Sequence, residues 1–489
     1  MSNLVKNELI KIFKKKTIYI TMGVVFLLLI FMNSMIKFAN RETSLANYYL
    51  YNESYINSIK EEIKKLDLDK PSDVTTYINL TNEIEISEIM NKYKDADWKL
   101  AIINERILPY ISERNIYKYG AEKNETQVEE INKKIEDLTS KLDRNDWKYF
   151  AEEDLKTAEQ KINELQTQKE QTEDTQIIKN LELELKNAEI EKEIAEYRIN
   201  KNIPYGSDYL NRAIDDLQNA VSSIAGYDNS DRDLEYREKL DYNEYVKQEA
   251  ESRYILDTGI NINESVSLKG ILQDFYSQFG LFLIVVIVMI AGTIVSEEFN
   301  KGTIKLLLVK PYTRNKILLS KFITTLIMIV FVIIVTIIMQ ILIGGVLFGF
   351  DSLGTPVVEY NFNTSSLQEI NIFVYLIIQT LTQLPMIILL AVLAFAISTI
   401  FSNSALAITI SLLGYMSTSI INQLVMAYNL GFMKYFVTMN WDLSMYLFGG
   451  LPLMEGMNMT MSIIICIAYF LIMMIPTFVI FKKRNIKNI

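Results

Sequence analysis

Apolar residues gather into five long charge-free runs, separated by segments in which charge is dense. The runs are Thr17–Ile36, Phe275–Val295, Phe322–Phe350, Ile370–Met433 and Gly456–Phe481. A helix needs about 20 apolar residues to cross the hydrocarbon core of a bilayer. The fourth run is 64 residues long, about twice what one crossing uses at roughly 1.5 Å per residue. It is interrupted at Ser402-Asn403-Ser404, so it reads as two spans, near 373–400 and 405–426. The pattern therefore predicts six spanning helices. The first run has the basic flank and apolar core of a signal peptide. Its length is greater than an ordinary signal core, however, and Asn33-Ser34-Met35-Ile36-Lys37 offers no small-x-small cleavage site, so an uncleaved anchor is expected.

Between the first two runs the pattern becomes that of amphipathic helices. Residues 121–203 contain neither Gly nor Pro. Apolar positions follow a three-four spacing at Val128, Ile131, Ile135, Leu138 and Leu142. The spacing recurs at Leu155, Ala158, Ile162 and Leu165, and at Ile178, Leu181, Leu185 and Ala188. The register breaks near Asp143–Asp146, and the seam stops between Gln166 and Thr175. The segments 121–168 and 176–203 thus read as arms of an antiparallel coiled-coil hairpin with its tip near 169–174. The expected fold class is an all-α membrane protein: six transmembrane helices plus a large helical, coiled-coil-containing domain.

Charge sets the expected orientation. Residues 38–274 hold 32 Lys and Arg against 51 Asp and Glu, a net −19, while the remainder is net +9. The segment 1–16, the loop 297–321 and the tail after Phe481 are all Lys- and Arg-rich, whereas the loops 351–369 and 427–460 hold only Lys434. Excess positive charge marks the cytoplasmic side. Six spans then place both termini in the cytoplasm and residues 38–274 outside the cell, in a plasma membrane of bacterial type. The expected division is an amphipathic helix at 1–16, span 1 at 17–37, the outer domain at 38–274 and span 2 at 275–296. A cytoplasmic segment at 297–316 follows, then spans 3 to 6 within 317–489 with an outer loop at 427–460. The acidic outer domain reads equally as a solvated spacer or as a receptor for cationic partners.

Several chemistries are excluded. The chain has no His, a single Cys (Cys466) and no Gly-x-x-x-x-Gly-Lys-Ser/Thr phosphate loop. No catalytic residue, metal site or cofactor is expected on this chain, and the net charge of −10 argues against nucleic acid. The runs carry no ionisable residue, which disfavours an ion-driven secondary transporter. Gln340, Gln379, Gln383, Asn422 and Gln423 within them read as interhelical hydrogen-bonding groups.

The informative stretch is Ser296-Glu297-Glu298-Phe299-Asn300-Lys301-Gly302-Thr303, continuing through the apolar block Ile304–Val309 to Lys310-Pro311-Tyr312-Thr313-Arg314. Gly302 should break the helix and Thr303 cap a new one, Pro311 should stop it, and Thr313-Arg314 should start the next. This order resembles the segment after the second span of ABC-2 type transporter permeases, and residues 1–36 and 275–489 share that family's general layout. The resemblance implies a coupling helix that docks on a separate ATPase subunit, present in two copies with its own ATP and Mg. Glu297, Glu298, Gly302, Thr303, Leu306, Leu307, Lys310, Pro311 and Arg314 would form that joint. The N-terminal helix, with Leu4, Val5, Leu9, Ile12 and Phe13 among lysines, would lie on membrane lipid beside it. The resemblance further implies a second permease copy or a related one, with Ser411, Ser417, Ser419, Asn422 and Gln423 as substrate-pathway candidates. The expected function is the permease of an ATP-driven exporter of a peptide, lipid or antibiotic-like molecule. The alternative is a non-transporting scaffold or receptor resembling Pip/YhgE-type or secretion-accessory proteins, a reading that the long coiled-coil pattern favours.

Overall fold

A computed structural model describes residues 1–49, 53–94, 96–230, 232–303 and 312–484, with side chains described outside 40–53. The protein is an all-α membrane protein. Among the described residues six helices are long and apolar enough to cross a membrane: Lys16–Ala39, Phe275–Thr293, Arg314–Phe348, Ile372–Phe401, Ser404–Ala427 and Met459–Lys483. The chain divides into two compact units, Met1–Asn40 with Ile262–Ile489, and Arg41–Asn261.

The first unit opens with α1 (Ser2–Phe13), and α2 (Lys16–Tyr49) carries span 1. Span 3 starts at Arg314, three residues earlier than the expected boundary. Each of spans 3 to 6 begins at a side chain that accepts a hydrogen bond from an otherwise unpaired backbone N–H: Thr313, Asn371, Asn403 and Asn458. The expected division of the fourth apolar run holds. Ser402 adopts a left-handed φ of 54°, and the chain turns within two residues between spans 4 and 5. Gly292 of span 2 permits close packing there, since a Cβ would lie 3.0 Å from Ile408 Cγ1. Span 5 is itself broken, into Ser404–Met416 and Thr418–Ala427.

Of the span polar groups, Gln340, Gln379 and Gln383 pair as expected. Asn33 and Gln340, both fully buried, exchange hydrogen bonds at 3.2 and 2.9 Å between spans 1 and 3. Gln379 donates to the Gln273 carbonyl at 2.7 Å, and Gln383 to Asp442 at 2.8 Å. The loop after span 3 holds a hairpin that the sequence pattern did not indicate, β1 (Val357–Asn361) antiparallel to β2 (Ser366–Ile370), with Val357 opposite Ile370. The loop after span 5 folds into short turns on a buried cluster of Val425, Met439, Met454 and Met457.

The second unit is helical. Its main core joins the fully buried Ile102, Ile103, Ile107, Leu142, Phe150 and Ala151. The expected hairpin is present as Trp147–Glu170 against Thr175–Lys201, its turn at 171–174. Its first arm, however, is shorter than the heptads indicated. Residues Glu125–Asp143 form a separate helix packed on Leu108–Tyr119. Asn145 takes a left-handed φ of 58° and Asp146 caps the following helix through Tyr149 N. The resulting corner brings Leu142 and Phe150 into one core. The distal hairpin has its own small cluster of Leu165, Leu181 and Ala188. Phe150→Ala should therefore destabilise this unit by about 3–5 kcal/mol, followed by the fluorescence of Trp98 and Trp147, which pack on the same core. Replacing residues 163–184 by a short Gly-Ser turn should leave that transition nearly unmoved.

Candidate functional site

Helix α1 buries one face, Leu4, Glu8 and Ile12, four residues apart. An acid on a buried stripe needs a cation. Lys321, two turns into span 3 and 1% exposed, supplies it. Its Nζ donates to Glu8 Oε2 at 2.8 Å, to the Ile294 carbonyl at 3.0 Å and to Glu298 Oε1 at 3.3 Å. All three ammonium donors are thereby used. Lys11 bridges the same carboxylates, 3.1 Å from Glu8 and 2.9 Å from Glu298. Glu297, on the more open side, pairs with Lys15 at 2.8 Å and Lys301 at 3.2 Å.

Burial alone would raise the Glu298 carboxyl. The Lys321 charge, the Thr303 hydroxyl and Lys11 outweigh burial and hold it at about 2. Glu297 is also held below the usual carboxylate range, by Lys15 and Lys301 against its partial burial. Burial would lower the Lys11 ammonium, but Glu298 and Glu8 raise it. The short helix Ser296–Asn300 is thus fixed to α1 and span 3 by charge. The buried Phe299 of this helix stands edge-on to Phe481, with the Arg484 guanidinium 4.5 Å from its ring centre.

Arg314 donates to the Lys482 and Arg484 carbonyls at 3.0 and 2.7 Å. Arg484 donates to those of Thr399 and Ile400 at 2.9 and 3.2 Å. Two arginines therefore satisfy the open C-terminal carbonyls of spans 6 and 4. All three basic segments meet at one end of the bundle.

Glu297, Glu298, Thr303 and Arg314 belong to this end. Gly302 has a φ of 69° and breaks the helix as expected. The Thr303 hydroxyl donates to the Glu298 carboxylate and carbonyl, and the helix it is expected to cap lies outside the described residues. Leu306, Leu307, Lys310 and Pro311 lie outside the described residues. The pathway candidates do not share one environment. Ser411 is fully enclosed, Ser417 sits at the break in span 5 and donates to the Gly414 carbonyl at 3.1 Å, and Asn422 donates to the Thr438 carbonyl at 3.3 Å. Ser419 and Gln423 are exposed. The sequence reading missed Glu8, Lys11, Lys15, Lys321 and Arg484 as site residues. The available signal was Glu8, the lone acid of a basic helix, four residues from both Leu4 and Ile12.

Residues 241–487 match the family described as "Protein of unknown function (DUF2705)". The chain belongs to the DUF2705 family. That match takes in spans 2 to 6 and the Glu297–Arg314 segment. The DUF2705 chain is 32% identical over 253 residues to "Uncharacterized protein YhcI" of Bacillus subtilis (strain 168), covering 52% of this chain and 77% of that protein. It is 28% identical over 204 residues to "Uncharacterized membrane protein YdbK" of the same organism, covering 41% and 76%. No solved structure matches.

Lys321→Met should leave the buried Glu8 and Glu298 carboxylates sharing the single charge of Lys11, costing about 3 kcal/mol. Adding Glu8→Gln and Glu298→Gln should recover most of that loss, read as melting temperature in detergent. Glu298, held at about 2 against an ordinary 4.5, stabilises the fold fully above pH 4.5 and loses that contribution as pH falls towards 2. Glu298→Gln should lower the melting temperature at pH 7 and lessen its fall between pH 5 and 3.

Proposed function

We propose that this DUF2705 protein is the permease subunit of an ATP-driven exporter of ABC-2 type, powered by a separate ATPase subunit. The observation that carries the reading is the charged clamp of Glu8, Lys11, Glu298 and Lys321. It ties the N-terminal helix, the segment after span 2 and span 3 into one piece. A force applied to that segment by a docked ATPase would pass directly to spans 2 and 3 and to α1. The folded loop after span 5 and the six-span layout support the same reading. The gathering of the basic segments at one end supports a cytoplasmic location for it. Span parity then supports an outer position for residues 38–274. The cargo is a peptide, lipid or antibiotic-like molecule, exported by a pair of such permeases.

In a Cys466→Ser background, Ser230→Cys and Glu173→Cys should label from outside with an impermeant thiol reagent, and Asn300→Cys should not. Tagged wild-type chain should copurify an ATPase. The apolar block Ile304–Val309 supplies the dock, where one buried side chain is worth about 1.5–3 kcal/mol. Leu306→Asp with Leu307→Asp should release the ATPase while the chain still inserts. Equal capture by both forms would favour the scaffold reading.

A further inference from the structure

Beside the clamp lies an open cleft of about 540 Å³, lined by Lys11, Lys14, Lys15 and Lys301 together with Glu8, Glu297 and Glu298. Its charges do not cancel. Lys11 and Lys321 match Glu8 and Glu298. Lys15 and Lys301 share the single carboxylate of Glu297, which leaves one positive charge. Lys14 is exposed and meets no acid among the described residues, which leaves a second. The cleft mouth therefore carries about two unneutralised positive charges, enough to hold a phosphate.

The cleft continues into a narrow crevice of about 60 Å³ that shares Ile12, Lys15, Ile294 and Glu297 with it. Ile18, Val286, Met289 and Ile290 line the crevice between the start of span 1 and the end of span 2. A polar, cationic mouth at the end of the bundle thus opens onto a mostly apolar slot between two spans, with Thr17, Thr21 and Thr293 also on its walls. A free anion has no use for the slot, and an uncharged amphiphile has none for the lysines.

We propose that this cleft is a binding site for one anionic phospholipid, its phosphate held by Lys14 and Lys15 and the first part of an acyl chain in the crevice. The lipid would seat against α1, so its presence would brace the segment 296–303 that the clamp holds. The site stands on its own lining and does not depend on the ATPase reading.

The test uses the full-length chain in neutral detergent, offered equal phosphatidylglycerol and phosphatidylcholine, with retained lipid counted by native mass spectrometry. Wild type should retain phosphatidylglycerol preferentially. Each lysine near an anionic lipid is worth roughly fivefold, so Lys14→Gln with Lys15→Gln should cut the enrichment roughly 25-fold. Lys14→Gln alone, at an exposed position, should cut it about fivefold and guards against misfolding of the double variant. Lys14→Arg with Lys15→Arg should retain binding. Lys6→Gln with Lys16→Gln removes the same charge from exposed positions that do not line the cleft, and should change little. Met289→Trp should fill the crevice and displace the lipid with all lysines intact. Equal loss in the Lys6/Lys16 pair would reduce the effect to diffuse surface attraction and overturn the site. Full displacement by millimolar inorganic phosphate, with no effect of Met289→Trp, would identify a free-anion site and overturn the lipid. Absence of any preference in wild type would also overturn it.

Discussion

A single ammonium group, that of Lys321, sets the terms for one end of this bundle. Once a lysine is enclosed to 1% exposure, desolvation has to be met by acceptors on every side. The chain provides a carboxylate from α1, a carboxylate from the segment after span 2 and the last free carbonyl region of span 2. None of these could be moved away without exposing a charge to a medium that stabilises it poorly. The clamp is therefore better understood as a constraint on geometry than as a large source of stability. A well-packed apolar substitute would cost the fold little, but it would not specify where α1 must lie.

The same logic recurs in milder form around it. The last carbonyls of spans 4 and 6 are met by side chains: Arg484 donates to those of Thr399 and Ile400, and Arg314 to those of Lys482 and Arg484. Each arginine belongs to a different part of the chain from the helix it serves. The result is a layer in which the starts and ends of spans 2, 3, 4 and 6 are joined by charge-assisted hydrogen bonds. Deeper in the bundle the Asn33–Gln340 pair does for spans 1 and 3 what water would do at the surface.

Much of the fold was legible because its causes are local. Span number followed from run length, and the start of span 3 from Thr313-Arg314, whereas the caps Asn371, Asn403 and Asn458 lie within the apolar runs and showed only in the folded chain. The turn at Ser402-Asn403 followed from polarity within an otherwise unbroken stretch. The hairpin tip at 171–174 followed from loss of the seam. What failed to show is non-local. The corner at Asn145 was visible as a break in register, but not that residues 125–143 turn away onto another helix. That choice depends on Leu142 and Phe150 sharing a core with Ile102 and Ile107. The β1–β2 hairpin lies in a short segment without sustained alternation. In the site, Glu297 and Glu298 stood out beside the span, whereas their partners Lys15 and Lys321 are far away in sequence. A lysine two turns past Arg314 looked like one more positive-inside charge, and only the folded bundle encloses it.

If Lys321 fixes α1 and the segment after span 2 as one piece, removing its charge should loosen both while leaving the spans intact. Backbone hydrogen exchange of the detergent-solubilised chain measures this directly, comparing wild type with Lys321→Met under conditions where both remain folded. The account predicts faster exchange confined to residues 2–13 and 296–303, with protection of spans 2 to 6 preserved. Unchanged protection of α1 in the variant would show that its apolar face alone holds it, and would contradict the clamp.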